Sequence, residues 1–271
     1  MMIADVHAHI FPDMLAEKAT HSIAAFYGAH DIDRPASLSR LLQEHREAHI
    51  TCGVVCNSAT SPAQVHHIND FLAEAVREAP QYIGFGSVYP GMPGVEEELD
   101  RMLELGLRGV KIHPDFQKLA IDDPAGVETY RAIAKRDLPV LFHMGDARSD
   151  LSSPERLLNL LRQVPDLRPI AAHFGGWQTW QHAYEHPLPD FVVYDTSSTT
   201  PLVEREFVLR LIDRYGEDRL LFGTDFPMWK PAEMVAQLHA LGLGRETEEK
   251  LFYGNFARFF GISAEKTAIG G

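Results

Sequence analysis

Short apolar runs recur along the chain and alternate with stretches whose apolar residues return every three or four positions. The runs fall at residues 3–6, 53–56, 83–88, 109–112, 140–142, 169–172, 191–194 and 220–222. Most are continuously apolar, as strands of a parallel sheet buried on both faces must be. The helical stretches cover 38–48, 63–78, 95–105, 127–136, 154–163, 203–215 and 232–241. Ser61-Pro62 and Ser153-Pro154 read as an N-cap followed by proline in the first turn, and Gly106, Gly216 and Gly242 as helix stops. A weaker helix, 177–186, is cut short by Pro187 and Pro189. A last helix, 246–260, would pack Leu251, Phe252, Phe256, Phe259 and Phe260 inward.

Eight strand–helix units in one run predict an α/β fold, a (β/α)8 or TIM barrel, closed by an extra C-terminal helix. A barrel of this kind takes about 250 residues, so the 271-residue chain reads as one domain over 1–264, with a frayed tail over 265–271. A glycine-rich dinucleotide fingerprint after strand one is absent. The connection from Ile10 to Ser37 is long for a barrel loop and has no clear helical pattern. Such loops cover the active-site face, so this one is expected to cap the substrate pocket.

Charge and cysteine content narrow the function. A net charge of -13 argues against a nucleic-acid partner. No run is long and apolar enough to span a bilayer, and the N-terminal residues lack the features of a secretory signal. Cys52 and Cys56 share a strand, roughly 13 Å apart, too far for a disulfide. Two reduced cysteines suit a cytoplasmic protein. The expected partner is a small-molecule substrate, with a homodimer as the expected assembly.

The candidate chemistry lies at strand ends. Nine of the 14 histidines fall on predicted helices or loops and read as solvated or packing residues. His7, His9, His113, His143 and His173 each end a predicted strand, and Asp225 ends the eighth. In a barrel these ends ring one face, which carries the active site. His7 and His9 are two apart on a strand and point the same way; Asp5 shares that parity one layer deeper and could steady a ligand imidazole. Imidazoles with a carboxylate suit zinc, with manganese or iron as alternatives, over magnesium or calcium.

The order His7-Ala8-His9, Lys111-Ile112-His113-Pro114, His143, His173 and Thr224-Asp225-Phe226-Pro227 resembles the amidohydrolase superfamily. Closer still is its amidohydrolase-related branch, which includes aminocarboxymuconate-semialdehyde decarboxylase, resorcylate decarboxylases and lactone hydrolases. The residues from Tyr253 to Gly261 resemble that branch's terminal helix. The resemblance implies one divalent metal held by His7, His9, His143 and Asp225, with His173 as the acid/base beside its water. The reverse, Asp225 as the base and His173 as a ligand, stays open. In binuclear members of the superfamily a strand-four lysine is carboxylated and bridges two metals. His113 lies nearer the strand end than Lys111, so both are expected to contact substrate or scaffold the site. Arg148 could grip a substrate carboxylate, and Trp177 could form an apolar wall, as could Trp180 and Trp229.

Two reactions share these residues: hydrolysis of a lactone, ester or amide by an activated water, and non-oxidative decarboxylation of a small aromatic or unsaturated acid. Hydrolysis is preferred, because the chain is short and shows no insertion that would build a pocket for an aromatic acid. A non-catalytic metal-binding barrel is disfavoured by the completeness of the set.

Overall fold

The computed structural model describes residues 1–28 and 32–262; the expected frayed tail lies outside them. Eight strands form one parallel sheet in sequence order: β1 (Ala4–His9), β2 (Cys52–Cys56), β3 (Tyr82–Ser87), β4 (Gly109–Ile112), β5 (Pro139–Phe142), β6 (Arg168–Ala171), β7 (Val193–Asp195) and β8 (Leu220–Leu221). The chain after β8 returns to β1: Val6 N donates to Phe222 O at 2.9 Å and His9 N to Phe226 O at 2.8 Å. These bonds close the sheet into a (β/α)8 barrel. Each strand lies within a few residues of its expected place.

Two apolar layers hold it together. Ala4, Val6, Val54, Phe85, Leu141, Ile170 and Leu221 fill the barrel interior, with Phe256 packed beneath them. A larger layer separates the strands from the surrounding helices α2 (Leu38–Glu47), α3 (Val65–Glu78), α4 (Val95–Glu104), α6 (Val127–Lys135), α7 (Pro154–Gln163), α9 (Arg205–Tyr215) and α10 (Pro231–Ala240). Two short helices, α5 (Pro114–Gln117) and α8 (Trp180–Glu185), follow β4 and β6. The expected C-terminal helix is present as α11 (Arg245–Glu249) and α12 (Asn255–Phe259), joined by a π-helical turn at Lys250–Gly254. Asn255 there donates to Glu217 O and Leu220 O, tying the turn to the start of β8. No helix among the described residues is long and apolar enough to cross a membrane.

The long connection after β1 is a helix rather than a loop. α1 (Asp13–Tyr27) fills most of it and stops at Gly28, whose φ of 67° suits a residue without a side chain. It lies over the strand C-termini.

β1 also departs from simple alternation. Ala4 and Val6 face the interior, yet His7 and His9 face the cavity above it. The pairing of β1 with β2 shifts register between Asp5 and Ala8, which re-aims the strand. Asp5 is therefore not beneath the imidazoles. Its carboxylate accepts from Thr224 N, Thr224 Oγ1 and His45 Nε2, and from the His7 backbone N–H at 3.0 Å.

A buried polar relay fixes the chain that follows β2. Glu98 on α4 accepts from Asn69 Nδ2 at 2.6 Å and pairs with Arg101 at 2.8 Å. Asn69 bonds both Ser87 N and Ser87 O, and Ser87 Oγ accepts from Ala59 N. Burial works against the Glu98 charge, but the bonds from Arg101 and Asn69 hold its carboxyl below the usual range. Its stabilisation is present above the unfolded pKa of about 4.3 and fades as pH falls through the lower folded value. Glu98→Ala removes one acceptor from Asn69, which keeps Ser87, and one from Arg101, which keeps Asp70, and should cost about 1–2 kcal/mol. Urea denaturation at pH 7 and pH 4 checks both statements: the deficit should shrink at the lower pH.

Candidate active site at the strand C-termini

His7 is the best-anchored of the strand-end histidines. Its Nδ1 meets Asp195 Oδ2 at 2.8 Å and Ser197 Oγ at 3.1 Å. A carboxylate partner fixes the hydrogen on Nδ1 and turns the Nε2 lone pair outward. That Nε2 lies 3.1 Å from His9 Nε2, and both lie 3.5 Å from Asp225 Oδ1. Ligand atoms about 2.1 Å from a tetrahedral ion sit about 3.4 Å apart, so these three fit one divalent metal in both spacing and donor type.

His143 and His173 form a second, adjoining pair. His143 Nε2 donates to Gly145 O at 2.9 Å, leaving Nδ1 as the acceptor. His173 Nδ1 faces Ser197 O at 3.2 Å and Ser197 Oγ at 2.9 Å, leaving Nε2. The two remaining nitrogens are 3.1 Å apart. Two lone pairs held this close invite a cation. The His173 ring also stacks on His7, centroids 5.3 Å apart. The structure thus gathers the expected residues, with His143 reached through His173. His143 and Asp225 line the cavity; His173 lies behind them.

The electrostatics follow from burial. Desolvation, reinforced by the Lys111 charge, keeps His7 well below the usual imidazole pKa. Burial does the same for His143 and His113, assisted by neighbouring imidazoles, and lowers His173. Neutral imidazole is the ligating form. Burial also opposes charge on His9, but Cys56 and the Asp225 carboxylate outweigh it and push His9 up to about 9. Burial opposes charge on Asp225 as well; the His7 and His9 rings overcome it and hold the carboxyl well below its usual range. Cys56 is a free, buried thiol 3.7 Å from His9 Nδ1, so it belongs to the site's surroundings.

Backbone geometry at the strand ends is strained. His173, Ser198 and Asp225 adopt φ of 59°, 54° and 58°, which costs a non-glycine residue about 1 kcal/mol or more. Fixed bonds hold them there: His173 N donates to Asp195 Oδ1, Asp225 N donates to His7 O, and Ser198 Oγ donates to Asp225 Oδ2.

The remaining candidates divide. Lys111 is fully buried, with Nζ 3.0 Å from His7 Nε2, and burial lowers its pKa. His113 lines the cavity and stacks on His143, centroids 4.0 Å apart. Arg148 does not line it: its guanidinium is engaged by Asp146, by Phe26 O and by the Phe26 ring face. Trp177 packs edge-on behind Tyr27, centroids 4.6 Å apart. It is close-packed because Gly145, at φ 80°, lets the two backbones meet; a Cβ there would lie 2.5 Å from Trp177 N.

Asp195 and Tyr27 were not among the expected site residues. Asp195 ends β7 one position past the expected strand, and the strand-end rule that selected Asp225 would have found it. Tyr27 had no signal, since it ends a helix without an apolar stripe.

The histidines and Asp225 open into a cavity of about 340 Å³. Phe11, Ile23, Phe26 and Tyr27 from the β1–α1 segment line it, with Phe116 packed against Phe26 and Tyr27, and with Met228. Among the described residues no lysine or arginine side chain lines it. Burial pushes the Tyr27 phenol well above its usual pKa, so it keeps its hydrogen at neutral pH.

Comparison with known proteins agrees with this architecture. A 2-amino-3-carboxymuconate-6-semialdehyde decarboxylase from Dictyostelium discoideum is 22% identical, across 74% of this chain and 67% of its own length. Among solved structures, a 5-carboxyvanillate decarboxylase from Novosphingobium aromaticivorans, complexed with manganese and 4-hydroxy-3-methoxy-5-nitrobenzoic acid, superposes with a TM-score of 0.75 at 18% identity, covering 96% of both chains. A putative 2-pyrone-4,6-dicarboxylic acid hydrolase from Pseudomonas putida gives 0.70 at 19% identity, covering 96% and 97%. These likenesses establish the shared fold. The family model for amidohydrolases matches residues 4–262, nearly the whole chain, and the chain belongs to that family.

Proposed function

We propose that the chain is a metal-dependent, non-oxidative decarboxylase of a small aromatic or unsaturated carboxylic acid. The observation that carries this reading is the aromatic surface, Phe26 and Tyr27, that α1 adds to the cavity lined by His7, His9 and Asp225. Hydrolysis was preferred because no insertion for an aromatic pocket was visible; α1 is that insertion. The decarboxylase relatives in the family support the same choice.

The reaction is redox-neutral. The bond between the carboxylate carbon and the substrate skeleton breaks, its electron pair stays on the skeleton, a proton takes the vacated position, and CO2 leaves. One divalent ion, zinc or manganese by its donor set, would be held by His7, His9, Asp225 and His143 and would supply a positive charge to bind and polarise the acid. The apolar wall positions the ring and excludes water. His173 moves the proton at Nε2, since its Nδ1 is bound to Ser197. Asp195 keeps the His7 hydrogen on Nδ1. Lys111 Nζ lies 3.0 Å from His7 Nε2, the atom that would face the metal.

A substrate panel tests the proposal. Metal-loaded protein should release CO2 from at least one arylcarboxylic or unsaturated acid, followed by infrared detection or coupled assay, and leave simple lactones and esters intact. Turnover of lactones with no CO2 from any acid would sink the decarboxylase reading and restore hydrolysis.

A further inference from the structure

His113 is the N-cap of α5, and its Nδ1 accepts the Phe116 backbone N–H at 3.3 Å. A ring nitrogen that accepts carries no hydrogen, and an imidazolium donates from both nitrogens. The hydrogen-bond geometry therefore sets His113 as the neutral ring with its hydrogen on Nε2. That Nε2 lies 2.6 Å from Tyr27 Oη. The hydrogen in this bond belongs to His113, and the Tyr27 oxygen accepts it.

The phenol's own hydrogen is then unspent. Among the described residues His113 is the single hydrogen-bond partner of Tyr27 Oη. The ring is clamped by Phe26, Phe116 and Trp177, with centroids 5.0, 5.9 and 4.6 Å away, so the O–H can rotate but the ring cannot easily leave. Tyr27 lines the cavity together with His9 and Asp225. Tyr27 is half-buried at the cavity wall, so this hydrogen is available to a ligand oxygen bound there.

We infer that Tyr27 is a substrate-contacting hydrogen-bond donor, held in its donor state by His113, that selects acids carrying a second oxygen acceptor on the ring. The inference rests on the acid-substrate reading above. Because no cationic side chain lines the wall, this second oxygen is recognised by a neutral donor, as a phenolic or carbonyl oxygen would be. The bland alternative is that the Tyr27–His113 bond only latches α1 onto the barrel, with Tyr27 donating and Phe116 N–H left unpaired.

Two measurements decide. Nitrogen-15 correlation spectra of histidine-labelled protein should show His113 with its hydrogen on Nε2; a hydrogen on Nδ1, or on both nitrogens, overturns the inference whatever the substrate is. Calorimetry on manganese-loaded protein should then compare benzoate with 2-, 3- and 4-hydroxybenzoate. The wild type should favour at least one hydroxybenzoate over benzoate, and Tyr27→Phe should weaken that ligand about 10-fold while leaving benzoate within about twofold. Equal weakening of every ligand, or an undiminished preference, overturns the donor role and leaves the decarboxylase reading standing. If no acid binds the wild type, the acid-substrate reading falls and the selection inferred here falls with it, while the spectra still report the His113 hydrogen.

Discussion

Asp225→Asn will bind a divalent metal more weakly and release CO2 from the acid substrate about 1,000-fold more slowly. Among the described residues Asp225 is the one acidic side chain in the cavity wall, and its Oδ1 lies 3.5 Å from both His7 Nε2 and His9 Nε2. The amide keeps its size and its bond from Ser198 but removes the negative charge that draws a cation to this point. A metal ion contributes several kcal/mol of charge stabilisation, and each 1.36 kcal/mol is tenfold in rate, so losing most of it gives the stated factor. Metal content after dialysis, measured by plasma mass spectrometry, should fall in step with the rate. A variant with full metal and wild-type turnover would show that the ion sits elsewhere.

His173→Gln separates the two roles left open for His173. As a proton carrier, its loss should slow turnover about 100- to 10,000-fold with metal content unchanged, because His7, His9 and Asp225 keep their spacing. As a ligand, its loss should lower metal content as well. His173 Nε2 lies 3.1 Å from His143 Nδ1, so either role uses the same atom. Unchanged turnover with unchanged metal would remove His173 from the mechanism altogether.

Much of this arrangement was legible in the residues, for particular physical reasons. A parallel barrel buries both faces of its strands, so the runs at 53–56, 140–142 and 169–172 stand out as continuously apolar. The polar residue that ends such a run marks the one place where a strand meets the cavity, which is why His113, His143 and Asp225 were found. α1 was invisible for the opposite reason. Its buried residues are the small Ala16, Thr20 and Ala24, while Met14 and Leu15 are exposed and Ile23, Phe26 and Tyr27 face the cavity. No large apolar stripe exists to betray its period. Asp5 was misplaced because strict alternation was carried through a register shift. The free hydrogen of Tyr27 depends on which His113 nitrogen meets Phe116, a three-dimensional fact without a sequence signature.

α1 touches the barrel through Ala16, Thr20 and Ala24, with Thr20 Oγ1 accepting from Ala36 N, and shares no hydrogen bond with His7, His9 or Asp225 among the described residues. Its coupling to the ligand ring is confined to its C-terminal end, where Tyr27 bonds His113, which in turn stacks on His143. The helix is therefore an exchangeable cassette. Its cavity-facing residues before Tyr27 can be rewritten by selection, or by a designer grafting another helix between β1 and α2 that keeps the Tyr27–His113 bond, so a new substrate can be adopted without rebuilding the catalyst.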